Sequence, residues 1–441
     1  MAPAYLLLLL ETVRRYWYNM GLTMLRFVLP ILLAITLLGC AKADEDRTVI
    51  RISNWGGASD NQDFEKLVNG FFRQFEKENP GVEVRVEGIP GEYVQKMLLN
   101  HIAGTMPDVM AVDASSAAVF VNNGVLADLT PFLVHDPQID LRDYWPNALE
   151  IGRREGKLYT IPGDFTPMVM YYNKRMFDDA GVPYPKPGWT YDDFLRTAQA
   201  LTREGRYGFS FANWMPGWVM WLWNNGGEVL SPDGSRASGT LDSAQNAEAI
   251  GFLADLINKH RVAPSLSQAA ALGVDLFANS QAAMTVSGHW SIVGYKNATK
   301  QGNDFDWRDL GVVELPTNVG KSQTVMYEVG YGIPVQSKHK DEAWKLVKMW
   351  TSYRLQKVYN STGIAISGRK DVATEHATND LEREFLKIVP TARPPAGSWV
   401  EGYATVEDIG QKMMDRVLNG EPSSTALKWA AERIDKEFAK R

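Results

Sequence analysis

Thr48-Val-Ile-Arg-Ile-Ser53 alternates apolar and polar side chains with a period of two, the mark of a strand. The residues that follow it decide the fold. From Asn61 to Glu78 the apolar residues Phe64, Leu67, Val68, Phe71, Phe72 and Phe75 recur at spacings of three and four, which predicts an amphipathic helix. Asn79-Pro80-Gly81 stops it. Val82, Val84 and Val86 alternate as a second strand, 92–103 reads as a second helix, and Pro107-Asp-Val-Met-Ala-Val-Asp113 is a third strand that ends on a carboxylate. Strand, helix, strand, helix, strand is the order of an open α/β sheet, which takes ligands at the carboxyl ends of its strands. Trp55 and Asp113 stand at two such ends.

Downstream, Leu158-Tyr-Thr-Ile-Pro-Gly-Asp164 leads into Met168-Val-Met-Tyr-Tyr-Asn173. The Pro-Gly pair between two strand-like pieces suits a crossing between lobes. Thr190 and Asp193 have the spacing of a capping box, with a helix running on to about Leu201. Trp214, Trp218, Trp221 and Trp223 follow within ten residues, and the four-residue spacing of Trp214 and Trp218 suits one helical face. Residues 326–335 read as a second crossing strand, 337–352 as a helix, 391–402 as a Pro/Gly loop holding Trp399, and the last 30 residues as two helices. About 400 residues beyond the leader exceed one core, so two lobes are expected.

The leader is the other informative segment. Phe27 to Leu38 is a 12-residue apolar run, shorter than the ~20 needed to span a bilayer, so it reads as the core of a signal peptide. The upstream residues are atypical of such a leader, which suggests that translation starts at Met20 or Met24. Cys40 closes the run and is the only cysteine in the chain, so neither a disulfide nor a cysteine-based zinc site is available within it. Leu37-Leu38-Gly39-Cys40 resembles the lipobox of bacterial lipoproteins, in which the cysteine becomes the lipidated N-terminus. Ala41 after it, rather than Asp, weakly disfavours retention at an inner membrane.

A net charge of −6 argues against nucleic acid as a partner, which would require a basic footprint. Tests for catalysis fail one by one. The six histidines are scattered, with no His-Glu-x-x-His, and no Gly-x-Ser-x-Gly occurs. Gly320-Lys321-Ser322 ends like a phosphate-binding loop, but Leu315 stands where the loop needs glycine. Asp178-Asp179 and Asp192-Asp193 are sequence neighbours whose side chains point apart, so they read as charges at helix starts. No cluster with metal-ligand spacing and no cofactor motif is found. The composition stands out in its aromatic residues, with 14 Trp and 17 Tyr, many beside Gly, Pro or Asn.

Four stretches resemble the family 1 extracellular solute-binding proteins, the sugar-binding receptors of bacterial ABC importers. They are Tyr171-Tyr-Asn-Lys-Arg-Met-Phe177 with Trp189-Thr-Tyr-Asp-Asp-Phe194; Phe277 to Met284 with Gly288-His-Trp290; Ile333 to Ser352; and Gly420 to Ile434. Their order spans nearly all of 48–441. Glu328-Val329 stands where many relatives carry glycine.

The resemblance implies an α/β, two-lobed periplasmic-binding-protein-like fold, each lobe a sheet flanked by helices, with a ligand cleft between them. The expected division is a signal peptide over 1–39, a lipidated tether over 40–47, one lobe from 48–163 with 333–388, and the other from 164–332 with 389–441. It also implies a monomer in the cell envelope, on the periplasmic or outer face, that holds the membrane only through lipid on Cys40, closes on a carbohydrate and presents it to permease subunits, with no catalysis of its own. Such hinge closure is the behaviour of periplasmic binding proteins in general.

Aromatic rings cover the C–H faces of a sugar, and carboxylates bond its hydroxyls. On that chemistry the candidate ligand residues are Trp55, Asp113, Asp164, Trp214, Trp218, Trp290, Tyr331 and Trp399. For Asp113 the competing role is a cap of the following Ala-Ser-Ser turn; for Asp164 it is a hydrogen bond that steadies the crossing. Arg369 reads as part of a solvated basic face. Two other functions remain open: a receptor for a polyamine or a glycerol phosphate, and a carbohydrate-active enzyme, which would need two facing carboxylates.

Overall fold

The computed structural model describes residues 47–54, 62–302 and 304–440. Cys40 and Trp55 lie outside the described residues. By their contacts, Met1–Val49 with Glu76–Glu83 form one unit and Ile50–Phe75 with Val84–Arg441 another. Within the first, the Thr48 amide donates to the Gly81 carbonyl at 2.7 Å. The elements below belong to the second, except that β1, α1 and β2 begin or end on residues of the first.

The opening strands are β1 (Thr48–Asn54), β2 (Val82–Gly88) and β3 (Val109–Asp113), with helices α1 (Gln62–Glu78) and α2 (Tyr93–Ala103) between them and α3 (Ala117–Asn122) after β3. β1 and β3 pair in parallel, Ile52 opposite Val109, as the βαβ pattern requires. Phe72 and Phe75 of α1 are buried, and Phe72 stacks on Trp350 with ring centroids 5.7 Å apart.

The crossing strands are β4 (Ile161–Pro167), which continues through Met168 into β5 (Val169–Asn173), and β8 (Thr324–Gly332). With β6 (Met284–Ser287), β7 (Leu310–Val313), β9 (Ile366–Ser367) and β10 (Ala392–Arg393), these strands and the opening three make a larger and a smaller sheet, beside a two-stranded ribbon of Arg153–Arg154 with Lys157–Leu158. The larger runs β9-β4-β8-β3-β1-β2, with β10 added along β8; the smaller runs β6-β5-β7. β8 lies antiparallel to both β3 and β4.

The crossing differs from its sequence reading. Pro162-Gly163 sits inside β4, and the break falls at Met168. Val329 faces Asp164 while Gly330 faces Pro162, so Gly163 is the extra residue of a bulge. A proline is tolerated where the ladder is interrupted. The bulge also brings the Tyr331 ring over Gly163, where a Cβ would lie 2.6 Å from it.

The smaller sheet packs one face, Met170, Tyr172, Met284 and Val313, into a core built around α4 (Tyr191–Leu201), α5 (Met215–Trp223), α6 (Ala244–Asn258) and the C-terminal helices Tyr403–Leu418 and Ser423–Phe438. The capping box that opens α4 forms as expected: Thr190 and Asp193 bond each other's backbone. The other face, Val169, Tyr171, Leu310 and Val312, joins a second core with Phe120, Phe165, Met326 and Phe385.

Candidate functional site

The carboxyl end of β3 decides the position of the site. Asp113 is its last residue, and its carboxylate accepts the Ser115 amide at 2.7 Å and the Ser115 hydroxyl. It therefore caps the turn into the following helix, Ala117–Asn122. It also lines a cavity of about 790 Å³, so capping the turn does not bury it away from that space. That volume lies within the ~300–1,000 Å³ usual for small-molecule pockets.

β8 is longer than β3 and runs past its end. Val329 pairs with Asp113, and Tyr327, two residues earlier and on the same face, lies beyond the last β3 residue. Its ring forms cavity wall. Trp214 reaches the same space from the residue before α5. Its backbone is extended, at φ −137° and ψ 116°, so it is not part of the helix. Trp290 precedes the helix Ser291–Lys300 and folds back over Gly288, where a Cβ would meet its ring at 2.4 Å. Trp214 stacks on Tyr327 with centroids 6.1 Å apart, and meets Trp290 edge-on at 6.2 Å. The lining also includes Ser210, Asp275, Thr285, Ser287 and Ser291.

The structure thus brings together Asp113, Trp214 and Trp290 of the sequence candidates, and adds Tyr327. Trp55 lies outside the described residues, and the remaining four are not in this lining. Trp218 is fully buried in the core while Trp214 is 43% exposed, so the pair shares no face. The spacing of four fails because only Trp218 is helical. Asp164 is buried one strand further in, at the crossing, where Tyr359 bonds it. Tyr331 is buried against Trp350, centroids 5.0 Å apart. Trp399 follows the turn Ala396–Ser398, covers Gly234 and is not among the residues lining this cavity. Arg369, expected on a solvated face, is instead largely buried, paired with Asp143 at 2.8 Å and Asp371 at 2.7 Å.

The electrostatics around Asp113 are one-sided. Burial pushes its carboxyl up, against the bonds from Ser115. Burial, with the charge of Asp113 adding to it, pushes Asp164 up to about 7 against the Tyr359 bond, and Glu407 up to about 8. Glu328 is 1% exposed, and neither carboxylate oxygen has a hydrogen-bond partner among the described residues. Burial, then Asp164 and Asp113, raise it well above the ordinary carboxylate range. No arginine, lysine or histidine contributes to any of these four shifts, and none lines the cavity. Glu328 and Glu407 carry no sequence motif. Tyr327 was legible in principle, since it alternates with Val329 and Tyr331 along β8.

Among the described residues no group of three His, Cys, Asp or Glu is placed to hold a metal, and no helix is long and apolar enough to cross a membrane.

The model of the family described as bacterial extracellular solute-binding protein matches residues 71–384. A putative binding protein of Brucella abortus is 24% identical over 382 residues, 82% of this chain and 87% of that protein. The multiple sugar-binding protein of Streptococcus mutans is 24% identical over 379 residues, covering 77% of this chain and 81% of its own length. Among solved structures, an ABC substrate-binding protein from Listeria monocytogenes in complex with cycloalternan superposes with a TM-score of 0.78 at 25% identity, over 89% of this chain and 100% of that one. The α/β, two-lobed fold class expected from the sequence holds. The family is one of binding proteins that work outside the cytoplasm, and its model covers most of the length over which the crossing strands and the cavity are built. This chain is a bacterial extracellular solute-binding protein.

Proposed function

We propose that the chain is the carbohydrate receptor of an ABC importer, held to the membrane by lipid on Cys40, and that it captures an oligosaccharide or sugar derivative by hinge closure and delivers it to permease subunits. The observation that carries this reading is the cavity wall itself. Trp214, Trp290 and Tyr327 line it together with Asp113. Apolar rings next to a charged acceptor match the C–H faces and hydroxyls of a pyranose. The named ligands of the Streptococcus and Listeria proteins support the class.

Closure needs two parts joined by few strands. The proposed lobes are 48–163 with 333–388, and 164–332 with 389–441, working as a monomer. β4 continues through Met168 into β5 and so links the two sheets, β8 pairs along β4, and these are the segments about which such lobes would turn. Asp164, Tyr331 and Glu328 lie on these strands, so their place in the account is the crossing rather than sugar contact.

A second reading has one observation in its favour. Asp113 and Asp275 line the cavity and no cation does, which suits a polyamine and disfavours a glycerol phosphate. One panel separates the three. Neutral oligosaccharides, spermidine and glycerol 3-phosphate are each added while thermal unfolding is followed. A ligand at 100 times its Kd adds about 2.7 kcal/mol. Stabilisation by oligosaccharides supports the receptor reading; stabilisation by spermidine alone replaces it, and turnover of a glycan would make the chain an enzyme. The anchor is tested by mass spectrometry of the mature protein, whose first residue should be an acylated Cys40.

A further inference from the structure

We propose that residues 265–274 form a flap at the cavity that closes onto the bound solute, and that Leu272, outside the cavity lining in this structure, becomes a solute contact when it does.

The two ends of the segment are fixed and its middle is not. Before it, Val262 and Ala263 are buried in the core. After it, the Asp275 carboxylate accepts the amides of Phe277 at 2.9 Å and Ala278 at 3.1 Å, and Leu276 and Phe277 are buried. Between these anchors no residue from 265 to 274 is buried.

The helix Leu266–Leu272 within it is closed on itself. The Gln268 amide donates to the Ser265 hydroxyl at 3.2 Å, the Ser265 amide donates to the Gln268 side-chain oxygen at 2.9 Å, and Gly273 ends the helix at φ 63°. Residues 265–274 include no charged side chain, and among the described residues no hydrogen bond ties them to another element. A piece whose polar groups are satisfied internally, and which buries little apolar surface, opens locally at low free energy. Its terminal residues, Ser265 and Gly273, are the positions that would absorb the rotation.

What the segment carries is apolar. Leu266, Ala269 and Leu272 recur every third residue and so share one stripe of the helix, and Val274 follows. Leu266, Ala269 and Val274 line the cavity with Trp214 and Trp290. Leu266 also packs partly against the core, which leaves the end at 270–274 the exposed one. Leu272 is 47% and Val274 46% exposed. Apolar side chains left in water at the rim of a pocket mark a surface that is covered when the pocket fills. The occupant is the cavity's own solute, because three of these four side chains already border it. Closing over that solute takes Leu272 out of water and delays the solute's release.

The inference takes from the proposed function only that the cavity holds the solute, and it stands for a sugar or a polyamine. Hydrogen exchange of the whole chain, read by mass spectrometry, tests it with neutral oligosaccharides, maltotetraose among them, and spermidine as probes. Without ligand, the amides of 269–272 are expected to exchange about a hundredfold faster than those of α6. A bound probe is expected to slow them about tenfold. Leu272→Ser should keep the unfolding midpoint and release the probe about fivefold faster with association little changed, and Leu272→Met should restore the slow release. Exchange as slow as in α6 without ligand, a bound probe that leaves 269–272 unprotected, or unchanged release from Leu272→Ser overturns the flap. Protection by spermidine alone keeps the flap and removes the carbohydrate reading; oligosaccharide binding without protection does the reverse. If no probe stabilises the chain, both fall.

Discussion

At the scale of single residues, tryptophans of similar sequence context do different work. Trp214 and Trp218 are four apart, yet one meets the cavity and the other the core. Trp214→Ala should leave stability nearly unchanged and weaken solute binding at least tenfold, read by isothermal titration calorimetry; base or sugar stacking on a ring is typically a kcal/mol-scale effect. Trp218→Ala should instead cost about 3–5 kcal/mol of stability, read by urea unfolding. The reverse pattern would exchange their roles.

The acids around Asp113 make a second prediction at this scale. Asp164 and Glu407 hold their protons to about 7 and about 8 in the folded chain. In the unfolded chain carboxyls release them near 4. Between those limits the folded state binds more protons, so stability falls as pH rises from about 5 to 8 and levels off above. The total is on the order of 5–7 kcal/mol. Thermal unfolding should show the midpoint declining across that range, with a shallower decline in Glu407→Gln. A midpoint that rises with pH, or a slope unchanged in the variant, contradicts the burial of these protons. The sequence marked Asp164 only as a candidate ligand residue and Glu407 not at all. Glu407 lies on an ordinary amphipathic helix, and its isolation depends on which residues of other elements come near it.

At the scale of elements, periodic segments were the legible ones. The alternation in β1, the three-and-four spacing in α1 and the Thr190–Asp193 capping box all rest on local chemistry, and each appears where expected. The crossing was less legible, because a bulge depends on the partner strand. Pro162-Gly163 looks like a turn in one dimension; opposite β8 it becomes an irregularity inside a continuous strand. Gly163→Ala should therefore cost about 1–3 kcal/mol, since its Cβ would collide with the Tyr331 ring. Denaturant unfolding reads the loss, and Tyr331→Ala in the same chain should recover part of the Gly163 effect. An independent, additive pair would remove the collision as the cause. Arg369 belongs here too: a basic side chain in a loop reads as solvated until Asp143 and Asp371 are found on either side of it.

At the scale of the whole molecule, family membership and the α/β plan were readable from the order of the motifs, whereas the site was readable only in part. Asp113 and Trp290 follow from strand ends and a glycine turn. Tyr327, Ser210 and Asp275 come from three distant segments, and the cavity exists only where these converge. The central claim is that this convergence takes a carbohydrate. Its most direct measurement is a crystal structure of the chain with the oligosaccharide that stabilises it most. The account expects a sugar ring against Trp214 or Trp290 and a hydroxyl within hydrogen-bond distance of the Asp113 carboxylate. A glycan bound elsewhere, with those side chains untouched, would contradict it.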